Sequence, residues 1–126
     1  MGGNVRFYKC ERCGNIIGVI NGDADRIVCC GEKMTALKAN SVDAATEKHV
    51  PVYEKEGNEL IVKVGDVEHP MEEDHYIMWV AIVSEDKTMR VSLKPGQKPE
   101  IRLPYFEGAT LYAYCNKHGL WKNEVK

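Results

Sequence analysis

The chain lacks the features that would mark a nucleic-acid binder, a membrane protein or a disulfide scaffold. Its 126 residues carry 17 lysines and arginines against 19 aspartates and glutamates, a net charge of −2. A protein that neutralises a phosphate backbone needs a basic excess, and none is present. The apolar run around "VAIVS" is far shorter than the roughly 20 residues that cross a bilayer. The opening "MGGNVRFYKCERCG" has no apolar signal core. The expected location is therefore the cytoplasm, where thiols stay reduced. Five cysteines is an odd number, which also argues against a disulfide framework. There is no internal repeat and no low-complexity tract, and histidine is scarce, with only four in the chain.

What is present suits a globular chain: 44% hydrophobic and 29% charged residues. The length allows one domain, or a small one followed by a medium one. Residues 1–36 are dominated by cysteine and glycine, as in "YKCERCGNIIGVINGDADRIVCCGEKM". Short strands are expected at Arg6–Lys9, Ile16–Ile20 and Arg26–Cys29, separated by glycine turns. So small a segment buries little apolar surface and needs a metal or cross-links to fold. A polar stretch, "KANSVDAATEKH", reads as a linker with room for a helical turn. From His49 onward the pattern is β, within a second domain of residues 37–126. "VPVYEKEGNELIVKVG" reads as two strands about a Glu-Gly-Asn turn, and "HYIMWVAIVSE" as a central strand buried on both faces. "TMRVSLK", "PEIRLPYF" and "ATLYAYC" add further strands, so the fold class is mainly β, with a β-sandwich after the small first domain.

Two constellations carry chemistry. Cys10 and Cys13 form C-x-x-C, and Cys29 and Cys30 follow fifteen residues later. Four thiolates at this spacing make a tetrahedral cage, and such a site suits zinc and iron alike. Neighbouring side chains of a strand point to opposite faces, so Cys29 and Cys30 reach one metal only if the backbone bends there, with Gly31 helping. The second set is His49, His69, His75 and His118 with the remaining cysteine, Cys115. A lone histidine is most simply a surface or satisfied core residue. Here that reading must hold four times and also leave Cys115 idle. His49 is expected to open a strand, His69 to precede a proline, His75 to open the central strand and His118 to sit just past the last strand. Loops at the ends of a sheet can converge on one site. Four imidazoles and a thiolate would then offer five ligands to a transition metal and leave a sixth position open.

The motifs "YKCERCGN", "VCCGEKM", "EKHVP", "HPMEEDHYI", "LKPG" and "YCNKHGLWK" run from Cys10 to Lys122, and in this order the chain resembles the desulfoferrodoxins, two-iron superoxide reductases. The resemblance implies a desulforedoxin-like N-terminal domain holding iron on Cys10, Cys13, Cys29 and Cys30. It implies an immunoglobulin-like β-sandwich with a second iron held by His49, His69, His75 and His118 in the equatorial plane and Cys115 on the axis. It further implies one-electron reduction of superoxide to hydrogen peroxide, electrons from rubredoxin or a similar donor, and a homodimer. Lys48 would place a cation at the mouth of the site, and Glu47 would bind the oxidised iron after product leaves. Backbone N–H groups around Asn116 and Lys117 would donate to the Cys115 sulfur and tune the metal. Lys117 stands where the family the chain resembles often has an apolar residue; its ammonium either weakens the thiolate or points to water. Outside this frame Glu47 and Lys48 are ordinary solvated charges, and Tyr76, Met78, Trp79 and Tyr112 are core or interface. Trp121 either covers the site near His118 or simply packs. The competing readings are an electron carrier or metal store with two closed sites, and a superoxide dismutase.

Overall fold

A computed structural model describes residues 6–41, 44 and 46–126. Val42, Asp43 and Ala45, inside the expected linker, lie outside the described residues. The chain divides into two compact units, Met1–Lys38 and Ala39–Lys126.

In the first unit β1 (Phe7–Lys9) lies between β2 (Ile16–Gly18) and β5 (Thr35–Ala36), both antiparallel to it. A two-stranded ribbon pairs β3 (Val28–Cys29) with β4 (Glu32–Lys33). The apolar core is small, built on Tyr8, Cys10, Ala24 and Met34. A ligating cysteine is thus one of its few buried residues, which is why metal binding and folding are coupled in a unit of this size.

In the second unit two antiparallel sheets face each other. One has the order β10 (Glu100–Pro104), β7 (Glu59–Val64), β6 (Pro51–Glu56). The other has the order β12 (Gly119–Glu124), β11 (Thr110–Cys115), β8 (Ile77–Val83), β9 (Thr88–Ser92). Leu60, Val62 and Val64 of β7 and Leu111, Ala113 and Cys115 of β11 alternate inward, and with Ile77, Val80 and Ile82 of β8, whose alternation shifts phase at Met78, they share one buried cluster. The Glu-Gly-Asn turn closes β6 onto β7 with Glu56 opposite Glu59. Gly57, at φ 63°, supplies the left-handed first position that such a two-residue hairpin requires.

Strand β8 lies inside its sheet, and five of its residues in a row, Trp79–Val83, are buried, as its unbroken apolar pattern predicts. Three expectations differ. His49 does not open a strand; it ends the helical turn α1 (Thr46–His49), and β6 begins two residues later. His75 precedes β8, which begins at Ile77, and pairs instead with Glu72 across an isolated bridge. His118 is not past the last strand but in the turn between β11 and β12. The segment "GLWKNE" escapes a period-2 reading because polar residues fill its exposed half, yet pairing with β11 along its whole length fixes it as a strand.

Candidate metal centres

The first cluster grows from two tight turns. Cys10 follows β1, and its backbone bonds Asn15 and Gly14 across the knuckle (Cys10 N–H to Asn15 O 2.8 Å, Gly14 N–H to Cys10 O 2.9 Å). This folds Cys13 back so that its N–H faces the Cys10 sulfur at 3.5 Å. The adjacent pair is resolved by the backbone: Cys30 takes φ 55° and Gly31 φ 79°. Two successive left-handed residues turn the chain sharply enough for both sulfurs to face one point. The Cys13 and Cys29 sulfurs lie 3.6 Å apart, all four sulfurs lie within 4.8 Å of one another, and all four cysteines are free. The Cys13 N–H draws the Cys10 thiol down to about 6. The Cys29 thiol, sharing its proton with Cys10, is held up at about 12. The Cys10 thiolate therefore forms first, while Cys29 and Cys30, both raised, keep their protons until a cation displaces them.

In the second unit four ligand-bearing segments meet. Helical turn α1 presents His49, and the turn after β7 presents His69. The loop before β8 presents His75, and the β11–β12 turn presents Cys115 and His118. The imidazoles form a closed square with centroid separations of 4.6 Å (His49–His69), 4.8 Å (His69–His75), 5.0 Å (His75–His118) and 4.9 Å (His118–His49). Each ring stands steeply to the next, at 75–87°. Cys115 completes the group, and all five donor atoms lie within 4.8 Å of one another.

The donor set fits a metal ion better than it fits itself. His49 Nε2 lies 3.1 Å from both His69 Nε2 and His118 Nδ1, although one ring nitrogen carries at most one proton. His69 Nδ1–H donates to Pro70 O at 2.6 Å, which fixes the tautomer and leaves the Nε2 lone pair aimed inward. His75 Nε2 is buried with no hydrogen-bond partner among the described residues. Lone pairs crowded together at one point and a buried orphan nitrogen are what a cation resolves. Burial, reinforced by the neighbouring imidazoles, pushes His69 down to about 4, and burial also lowers His75. Both are thus neutral, as ligation requires. Burial raises the Cys115 thiol, opposed by the backbone N–H groups of Lys117 and His118 and by the Lys117 charge. The Asn116 N–H is not among these donors, because it bonds the Tyr76 carbonyl at 3.2 Å. Lys117 is exposed, and its charge is felt at Cys115 and His75 without exceeding the effect of burial.

Trp121, ambiguous in the sequence, does two things. Its ring stacks on His49 at 4.9 Å and 26°, and its Nε1–H donates to the His118 carbonyl at 3.1 Å. Gly65, unnoticed in the sequence, seats α1: a Cβ there would lie 2.6 Å from the Glu47 carbonyl oxygen. No sequence pattern marks the stacking of Trp121 on His49 or the seating of Glu47 on Gly65, because each pair is distant along the chain. Trp79 and Tyr112 are buried, and Trp79 stacks on Tyr114 at 5.6 Å, away from the imidazole square. Glu47 and Lys48 are exposed on α1 beside His49.

Comparison with known proteins agrees with both centres. The family model described as "Desulfoferrodoxin" matches residues 41–124, and "Desulfoferrodoxin, N-terminal domain" matches residues 3–37. The chain is 50% identical over 125 residues to a desulfoferrodoxin of Syntrophotalea carbinolica, covering 98% of this chain and 99% of the relative. It is 51% identical over 122 residues to one of Desulfarculus baarsii, covering 95% and 96%. Among solved structures, the superoxide reductase of Treponema pallidum is similar, with a TM-score of 0.76 and 33% identity over 95% of this chain and 98% of that one. The four-cysteine group and the group of four histidines and one cysteine fit the two iron sites of such proteins. The chain belongs to the desulfoferrodoxin family.

Proposed function

We propose that the protein is a superoxide reductase that converts superoxide to hydrogen peroxide at the histidine–cysteine cluster of the second unit. The observation that carries this reading is the closed square of His49, His69, His75 and His118 with the Cys115 sulfur beside it. Relatives and structural neighbours carry the name superoxide reductase, including a Pyrococcus abyssi protein 39% identical over 106 residues. In this reading residues 1–36 form the four-cysteine iron domain, and residues 37–126 form an immunoglobulin-like catalytic sandwich.

Iron in the second cluster would supply the single electron that superoxide takes up, and two protons complete the peroxide. The chain's own groups do the rest. Lys48, exposed on α1 next to His49, sets a cation where the overall charge is negative and draws the anion in by local electrostatics. Its ammonium also orders water, through which protons reach the substrate. Glu47 on the same turn is placed to cap the site after product departs. The Cys115 sulfur, buried and facing the Lys117 and His118 N–H groups, would give the iron an electron-rich thiolate donor. The first cluster has four protein donors and no vacant position, so it passes or stores an electron and does not bind substrate. Electrons come from rubredoxin or a similar donor, and the protein acts in the cytoplasm as a homodimer, as its resemblance to the family implies.

The test is stoichiometry with a reduced donor in excess. A reductase forms one peroxide for each superoxide consumed and no oxygen. Oxygen release with half that peroxide would make it a dismutase, and zinc in both clusters of the purified protein would overturn the redox reading.

A further inference from the structure

Asn116 is exposed, so it has no part in the core, yet its side chain is fully engaged. Its Oδ1 accepts the Tyr76 N–H at 2.9 Å, and its Nδ2 donates to the Asp74 carbonyl at 3.1 Å. Its own backbone N–H donates to the Tyr76 carbonyl at 3.2 Å. These three bonds grip the chain on both sides of His75, from a residue adjacent to Cys115. They are possible because β8 carries one extra residue against the end of β11: Tyr114 pairs with Trp79 but Cys115 pairs with Ile77, so Met78 is passed over and Asn116 arrives beside Tyr76.

The contacts that orient two of the other ligands do not reach His75. His69 is oriented by the Pro70 carbonyl and His49 by the Trp121 ring. The inward Nε2 of His75 has no partner among the described residues. Its loop is also held by the two-bond bridge to Glu72 (2.9 and 3.0 Å), by the Ile77 N–H on the Met71 sulfur (3.4 Å) and by the Gly96 N–H on the Met71 carbonyl (2.7 Å), but none of these bonds reaches the turn that carries Cys115 and His118.

We infer that Asn116 is a positioning residue that fixes the His75 loop to the Cys115 turn, so that the Cys115 sulfur and the His75 imidazole hold a constant relation. The inference rests on the reading that the second cluster binds iron.

The test uses the full-length protein loaded with iron, comparing Asn116→Ala with Asn116→Asp. The readouts are iron release to a chelator from each cluster, hydrogen exchange at the Tyr76 amide and the energy of the thiolate-to-ferric charge-transfer band. The iron of the four-cysteine cluster is the internal reference. Asn116→Ala should speed exchange at Tyr76 and release iron from the histidine–cysteine site about 10–100-fold faster, the usual effect of losing an outer partner of a metal ligand. It should shift the charge-transfer band and leave the four-cysteine iron unchanged. Asn116→Asp keeps the acceptor for Tyr76 and loses the donor to Asp74, so it should keep the amide protected and recover part of the iron retention. Unchanged iron release and band energy in Asn116→Ala would overturn the inference. So would equal iron loss from both clusters that follows a fall in global stability and is no smaller in Asn116→Asp. If the unsubstituted protein failed to hold iron in this cluster, the underlying reading would fail instead, and that shows before any variant is made.

Discussion

The Gly65 α-carbon sits directly under the Glu47 carbonyl: a Cβ on Gly65 would be 2.6 Å from that oxygen and 2.8 Å from the Lys48 carbonyl carbon. Two residues on, the Val67 N–H donates to the same oxygen at 2.8 Å. The turn that ends in His69 thereby holds the helical turn that ends in His49. Backbone atoms cannot swing aside as a flexible side chain can, so Gly65→Ala must move α1. The expected outcome is a stability loss of about 1–3 kcal/mol, typical of overpacking, with a slower reaction with superoxide. Gly57→Ala, where the new methyl meets nothing, should lower stability through its φ of 63° and leave the superoxide rate intact. Thermal unfolding and rapid kinetics on both variants separate the two effects.

Lys48→Met removes the exposed cation beside His49. The second-order rate with superoxide should fall about tenfold or more and lose most of its dependence on salt, since steering by a local charge is screened by ions. Iron content should stay as in the parent, because Lys48 offers no ligand. Rates measured across ionic strength check this; a salt slope equal to the parent's would remove Lys48 from the mechanism.

Cys13→Ser breaks the first cluster alone. Its sulfur lies 3.6 Å from that of Cys29, in a unit whose small core includes Cys10. Metal analysis should fall from two irons per chain to one, with loss of the four-sulfur absorption and retention of the iron held by the histidines and Cys115. Retained turnover with a rubredoxin-type donor would then mean that electrons reach the second cluster without the first.

The metal-free protein should be sensitive to mild acid. His69 has its folded value lowered from 6.5 to about 4, and His75 is lowered too. Above about pH 6.5 folded and unfolded chains are both neutral at His69, and stability is at its full value. Between 6.5 and 4 the unfolded chain takes up a proton that the folded chain refuses, so stability falls as pH falls through this window. Iron holds the imidazoles neutral and should flatten the curve. Unfolding midpoints of stripped and loaded protein from about pH 7.5 to about pH 4 test this; parallel curves would contradict it.

The cysteines were legible because both sets are local. C-x-x-C and Cys29–Cys30 lie within one small unit, and the left-handed turn at Cys30 and Gly31 was foreshadowed by the glycine. Cys115 and His118 share one turn. The two-sided burial of β8 followed from "IMWVAIV", and the Glu-Gly-Asn hairpin from its turn residues. Strand β12 was missed because "GLWKNE" carries polar residues on its outer half and a glycine at its start. Trp121 was undecidable because stacking on His49 and bonding the His118 carbonyl are facts of packing.

By itself the sequence determined which atoms could ligate a metal: four thiols at cage spacing, and four imidazoles with one further thiol for a second site. It also determined the apolar alternation that builds two facing sheets. The tertiary structure decided that His49, His69, His75 and His118 close into one square, since α1, the β7–β8 segment that carries His69 and His75, and the β11–β12 turn are brought together by long-range pairing. It decided that Cys115 enters from the buried side, because the sulfur follows Leu111 and Ala113 on the inward face of β11. It also decided which bystanders hold the ligands: Gly65 under Glu47, Trp121 on His49 and Asn116 across His75. Those contacts depend on shape and distance between segments far apart in the chain, and no local pattern encodes them.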